Sequence, residues 1–190
     1  MLKRILVAAW LALACALPAF ATSVLPLDLG QIIDQSTTVF QGTVVDNRSG
    51  RDPQTGMLVT MTTFRVDDVL KGTVPETYTI KQIGGEQAGE SVKFRVYGVP
   101  TFTVGQSYVL FMTGVSSAGF SSPIGLEQGR FLIDDAGNGL EVGNGRDFTQ
   151  LTANTDMVLP PEAKAASAHK NRMGLADFKA MVRKHAGAKQ

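Results

Sequence analysis

Leu58-Val59-Thr60-Met61-Thr62-Thr63-Phe64-Arg65-Val66-Asp67-Asp68-Val69-Leu70 is the stretch that decides how this chain folds. Threonine, valine and phenylalanine suit a pleated, half-buried surface better than a helix. Leu58, Thr60, Thr62, Phe64 and Val66 alternate with Val59, Met61, Thr63 and Arg65, the two-residue period of a strand. Asp67-Asp68 breaks the alternation before Val69-Leu70, which predicts a bulge or bend. Neighbours on a strand point to opposite faces, so neither Asp67-Asp68 nor Asp134-Asp135 forms a carboxylate dyad by itself.

Reading outward from this strand, residues 37–46 form another, with Phe40, Gly42 and Val44 on one face and Val39, Gln41, Thr43 and Val45 on the other. Residues 47–56, rich in Gly, Pro, Asp and Ser, read as a loop carrying the acceptor sequon Asn47-Arg48-Ser49. Downstream, Lys71-Gly72 makes a turn, and residues 77–83 form a third strand with Tyr78 and Ile80 inward. Residues 84–105 are a long, glycine-punctuated connection with a short strand expected at 92–96. Residues 108–112 form an apolar strand. Residues 129–134 and 140–142 form a hairpin around Asp135-Ala136-Gly137-Asn138-Gly139, where Asn-Gly is a strong turn signal. Asp134, Asn138 and Gly139 sit at calcium-loop positions, but Ala136 and Gly145 stand where further ligands belong, so the turn is the better reading. Short strands at this spacing argue for a mainly β fold, expected to be a small OB-like Greek-key barrel. Eighteen of the 20 glycines lie in residues 22–149, where bends and bulges need them.

Two helices flank the strands. Leu27-Asp28-Leu29-Gly30-Gln31-Ile32-Ile33 pairs a capping Asp28 with Gln31 three residues on, and puts Leu29, Ile32 and Ile33 on one face. At the other end, residues 175–186 form an amphipathic helix with Leu175, Phe178 and Val182 on one stripe. Residues 22–149 hold 9 basic and 14 acidic groups, whereas residues 150–190 hold 7 basic and 3 acidic. A basic helix docking on its own acidic sheet explains that segregation better than a membrane-binding tail, whose charges would be more numerous and closer together.

The first 21 residues have the grammar of a leader. Lys3 and Arg4 precede the apolar run 5–17, Pro18 ends it, and Ala19-Phe20-Ala21 offers the small residues that signal peptidase accepts. Cleavage is expected between Ala21 and Thr22. An uncleaved anchor, or a lipoprotein modified at Cys15, are the alternatives. The expected organisation is a signal peptide at 1–21, a β domain at 22–149, a linker at 150–174 and a terminal helix at 175–186. Export to the periplasm or outside the cell follows, with no stable membrane anchor after cleavage.

Cleavage also removes Cys15 and Trp10, each the single residue of its kind. Without Lys3 and Arg4 the chain has 16 basic and 17 acidic groups, which excludes a generally basic nucleic-acid binder. Residues 22–149 hold neither His nor Cys. Triads built on His, Cys nucleophiles and His-based metal sites lack their key group there, so no cofactor is expected. His169 and His185 match no metal-ligand spacing and read as a solvated pair. What remains is Gly84-Gly85-Glu86, which opens the longest loop, with Arg95 returning nearby. These four are the candidate binding residues, set against a simple chain reversal that needs two glycines.

Val69-Leu70-Lys71-Gly72, Gly84-Gly85-Glu86, Gly98-Val99-Pro100-Thr101-Phe102, the Gly105–Phe111 segment Gly-Gln-Ser-Tyr-Val-Leu-Phe and Gly125-Leu126-Glu127-Gln128-Gly129-Arg130-Phe131 resemble a group of uncharacterised exported bacterial proteins. The resemblance covers residues 27–135. More distantly, the strand order is similar to the OB-fold of the netrin-like domain in tissue inhibitors of metalloproteinases. That resemblance implies a scaffold, not a function. The inhibitors chelate a protease zinc with a disulfide-pinned N-terminal cysteine, whereas here the expected N-terminus is Thr22-Ser23. The expected function is a non-enzymatic module that binds another exported protein. The alternatives are an inhibitor of a co-secreted metalloprotease and, last, a glycan-active enzyme using carboxylates alone.

Overall fold

The first helix of the computed structural model begins where its side chains close a reciprocal cap. The model describes residues 25–87, 89, 93–137, 139–159 and 171–188; the leader, the cleavage pair Ala21-Thr22 and His169 lie outside them. Asp28 Oδ1 accepts from the Gln31 amide at 2.8 Å, and Gln31 Oε1 accepts from the Asp28 amide at 3.0 Å. Helix α1 (Leu29–Gln35) buries Leu29, Ile32 and Ile33 completely. Its far end is capped from the sheet. The Lys71 ammonium donates to the carbonyls of Ile33 and Ser36, both at 2.7 Å, where the helix dipole favours a cation. Gly72 follows at φ +74°, and a Cβ there would lie 2.8 Å from the Thr37 carbonyl. The Lys-Gly turn thus seats α1 on the sheet.

The strands are β1 (Thr38–Arg51), β2 (Leu58–Lys71), β3 (Thr77–Ile83), β4 (Gly85–Glu86), β5 (Lys93–Phe94), β6 (Ser107–Met112), β7 (Arg130–Asp135), β8 (Leu140–Gly143) and β9 (Met173–Gly174). Seven form one antiparallel sheet in the order β3-β2-β1-β6-β7-β8-β9, and β4 and β5 pair separately. The protein is mainly β. The sheet is not closed, since it begins at β3 and ends at β9, so its pairing does not itself make a barrel. A short helix α2 (Phe148–Leu151) and the terminal helix α3 (Leu175–Gly187) complete the described elements. The stretch read as a linker, 150–174, includes the end of α2 and all of β9.

The expected bulge lies at Asp67, the residue skipped between the pairs Gln41↔Asp68 and Gly42↔Val66. The expected loop at 47–56 is corrected. β1 continues through Asn47, Arg48 and Ser49 to Arg51, paired in register with β2, and the turn is confined to residues 52–57. Its polar side chains misled because they are satisfied across the sheet rather than locally. Thr62 Oγ1 donates to Asn47 Oδ1 at 2.6 Å, and Ser49 and Thr60 share a hydroxyl hydrogen bond of 2.8 Å. The sequon therefore lies in a strand.

Two hydrophobic clusters lie on opposite faces of the sheet. One holds Phe40, Val44, Phe64, Ile80, Tyr108 and Leu110, with Phe102 edge-on to Phe64 at 5.2 Å. The other lies under the helices, where Phe178 of α3 stacks on Phe131 at 4.9 Å and meets Phe148 at 5.9 Å. Charge completes the docking of α3. Asp68 takes Lys179 and Arg183, the latter at 2.6 Å. His185 corrects the reading of a solvated pair: its Nε2 lies 3.0 Å from Asp34 Oδ1, and its side chain is largely covered. Burial pushes the Asp68 carboxyl up, but the hydrogen bonds and charges of Lys179 and Arg183 outweigh it and hold the group below its ordinary value of 3.8.

Two outcomes follow. Phe178→Ala removes a ring from the centre of the second cluster and should cost about 3–5 kcal/mol in urea unfolding. Asp68 is ionised more readily folded than unfolded. Its contribution is therefore complete above the ordinary carboxylate range and is lost as pH falls through the lower, folded value. Asp68→Asn should flatten that part of the acid limb in a stability–pH series.

Candidate functional site

The inner face of the sheet is apolar along most of its length and turns polar at one level in three strands together. Val44, Phe64 and Tyr78 lie in register; one step further stand Asn47, Thr62 and Ile80; the next row is Ser49, Thr60 and Gln82. A cleft of about 600 Å³ opens above these polar rows. Residues 93–102 form a strap along its other side, including Phe94, Arg95, Val96, Val99 and Phe102. The strap is tied down where Asn47 Nδ2 donates to the Phe102 carbonyl at 2.6 Å.

All four candidate residues, Gly84, Gly85, Glu86 and Arg95, line this cleft. The contacts show what the glycines do. Thr60 Oγ1 donates to the Gly84 carbonyl at 2.8 Å, and the Glu86 amide donates to Ser49 Oγ at 3.1 Å. A hydroxyl has one proton, so the Ser49–Thr60 bond must run from Ser49 to Thr60. The result is a continuous relay, Glu86 N–H to Ser49 to Thr60 to the Gly84 carbonyl, that bolts the turn onto β1 and β2. A Cβ on Gly85 would lie 2.1 Å from Ser49 Oγ and 3.0 Å from the Val59 carbonyl, so only glycine permits the approach.

Glu86 meets Lys93, at 2.6 Å, across the β4–β5 pair. The hydrogen bond and charge of Lys93 hold the Glu86 carboxyl below its ordinary value. It is the one carboxylate among the described residues lining the cleft. Both it and Arg95 are exposed, which places them at the mouth. Sequence reading missed Gln82, Phe94 and the hydroxyl rows. Gln82 is only 5% exposed, and its Nε2 is closed off from solvent without a hydrogen-bond partner among the described residues. The available signal was the stripe Tyr78-Ile80-Gln82, in which a polar side chain occupies the inward position of an otherwise apolar face.

A second polar feature lies outside the cleft. Lys81 Nζ bonds Asp52 Oδ1 at 3.1 Å, with both side chains about nine-tenths buried, and sits 4.7 Å from the Phe120 ring centroid. Hydrogen bonding from Thr55 leads in holding the Asp52 carboxyl low, against burial and with help from Lys81. The pair anchors the β1–β2 turn to β3. The Asp134-Asp135 turn is structural too: Asp134 bonds Arg172 at 2.5 Å, and Asp135 Oδ1 accepts from the Gly137 amide at 2.8 Å. Among the described residues, no three His, Cys, Asp or Glu side chains cluster as metal ligands, and no helix is long and apolar enough to cross a membrane.

No family model, curated protein or solved structure matches the chain.

Gly85→Ala should cost about 1–3 kcal/mol from overpacking. It should also speed hydrogen exchange of the Glu86 amide. Ser49→Ala breaks the relay without a clash and should cost about 1 kcal/mol in the same unfolding measurement.

Proposed function

We propose that this chain is an exported, non-enzymatic module that binds another protein through the strap beside the cleft. The observation that carries the reading is the run Phe94-Arg95-Val96-Tyr97. Phe94 is 46% exposed and Tyr97 97% exposed, in a segment anchored at Phe102. Exposed aromatics and arginine on an ordered segment are the composition that dominates binding energy at protein interfaces. Tyr97 stands next to Gly98, at φ +82°, on a turn that aims its ring away from the core. Glu86, held ionised by Lys93, suits recognition of a cation better than proton donation.

An OB-like barrel, open on one side, is part of the same proposal. It is supported by the enclosed cluster around Phe40 and Phe64, and by the Ser121 amide, which donates to the Lys81 carbonyl at 3.1 Å on the outer edge of β3. Export rests on the leader at 1–21, and places the partner in the periplasm or outside the cell.

The test is site-directed photo-cross-linking in an exporting host, with the photoreactive residue at Tyr97 or, as control, at the exposed Thr79 on the outer face of β3. A discrete polypeptide adduct is expected at 97 and not at 79. Identical patterns at both positions would remove the reading. Tyr97→Ala combined with Phe94→Ala should lower the affinity of the cross-linked partner at least tenfold without changing the unfolding midpoint.

A further inference from the structure

The cleft floor makes a chemical demand that the strap does not. Its hydroxyls are internally committed: Ser49 donates to Thr60, Thr60 to Gly84, and Thr62 to Asn47. Asn47 donates in turn to the Phe102 carbonyl. Gln82 ends the Ser49-Thr60-Gln82 row, yet its Nε2 has no acceptor among the described residues and is nine-tenths or more buried with the rest of the side chain. An unpartnered buried donor is destabilising, so its natural complement is an acceptor brought from outside. The neighbouring walls are apolar: Ile83, Val96, Val99, Pro100 and Phe102 line the same cleft. The charged groups Glu86, Lys93 and Arg95 are exposed at the mouth, not on the floor.

We propose that the cleft takes an uncharged peptide segment, placing an apolar side chain against the strap and one backbone carbonyl on Gln82 Nε2. The inference rests on the protein-binding reading and assigns the chemistry of the inserted part. Two features favour a peptide over a glycan. The walls are mostly aliphatic. The hydroxyls of Ser49, Thr60 and Thr62 have already committed their protons within the fold. Nε2 is covered in the empty cleft, so engagement requires the carboxamide to turn about its soft terminal torsion toward the ligand.

The experiment titrates the isotope-labelled full chain, purified from an exporting host, with N-acetyl-Leu-Val-amide, and with diacetylchitobiose as the glycan probe. Each is followed by amide chemical shifts. The dipeptide should move Ser49, Thr60, Ile83 and Val96 and leave α3 unchanged. Gln82→Met keeps length and removes both donors. It should weaken the dipeptide about tenfold while leaving the unfolding midpoint equal or higher, because an unpaired buried donor has been removed. A fall in the midpoint would show Gln82 to be satisfied within the fold, and equal dipeptide affinity would show that it takes no ligand carbonyl; either overturns the proposal. Stronger binding of diacetylchitobiose at the same amides would overturn the peptide assignment. If the dipeptide fails while Tyr97 still cross-links a partner, the protein-binding reading stands and this inference falls. Dipeptide binding without any adduct at Tyr97 gives the reverse.

Discussion

Val39 and Phe40 are neighbours on β1, both completely buried, and they point to opposite faces of the sheet. Val39 belongs to the cluster under the helices and Phe40 to the aromatic cluster on the inner face. A strand buried on both faces must be covered on both, and the rest of the architecture supplies that cover. β2 pairs along one side of β1 and β6 along the other, while α1 and α3 close one face. Gly42 marks how tightly this is done, since a Cβ there would lie 2.9 Å from the Arg65 carbonyl and 3.1 Å from the Phe40 ring. The register irregularities at Val39/Phe40, Gln41/Gly42 and Val44/Asp46 bend β1 as it leaves the centre. Its last third is thereby carried beyond the aromatic cluster, and that is where the cleft opens.

The same constraint explains why the terminal helix is part of the fold and not an appendage. The cluster under the helices includes Phe111 and Phe131 of the sheet and is completed by Leu175, Phe178 and Val182 of α3. Dispersion and apolar burial supply most of the attachment. The ion pairs of Asp68 with Lys179 and Arg183, and the His185–Asp34 contact, fix its orientation. The charge segregation between residues 22–149 and 150–190 is therefore an internal complementarity. Partly exposed pairs of this kind are individually weak, so they orient the helix and the aromatic cluster holds it.

How much could be read in advance follows from how local each signal is. The α1 capping box, the limits of β3 and the bulge at Asp67 depend on residues a few positions apart, and all were legible. The continuation of β1 to Arg51 was not, because Asn47 is satisfied by Thr62 and Phe102, distant in sequence, and Ser49 by Thr60. The same holds for β9, two residues whose strand character exists only in pairing with β8. His185 looked solvent-facing because its partner, Asp34, lies 151 positions away. At the candidate site, Gly84, Gly85, Glu86 and Arg95 were found from glycine spacing and loop length. The floor was missed, because a serine, threonine or glutamine in a strand is unremarkable until Ser49, Thr60 and Gln82 fall in one row.

The division of labour within that site is now physical. Gly84 and Gly85 allow the backbone to approach β1 and β2, and the Ser49–Thr60 relay satisfies the polar groups which that approach brings together. With the turn bolted down, Glu86 and Lys93 face each other across the β4–β5 pair. The strap is fixed at both ends, by this pair and by the Asn47–Phe102 hydrogen bond. Anchored ends reduce the ordering cost of presenting Phe94 and Tyr97, which favours affinity. Gln82 stands apart from these devices. The hydroxyls of Ser49, Thr60 and Thr62 serve the fold, whereas its carboxamide nitrogen meets no partner among the described residues, and the peptide carbonyl of our proposal is the acceptor it lacks.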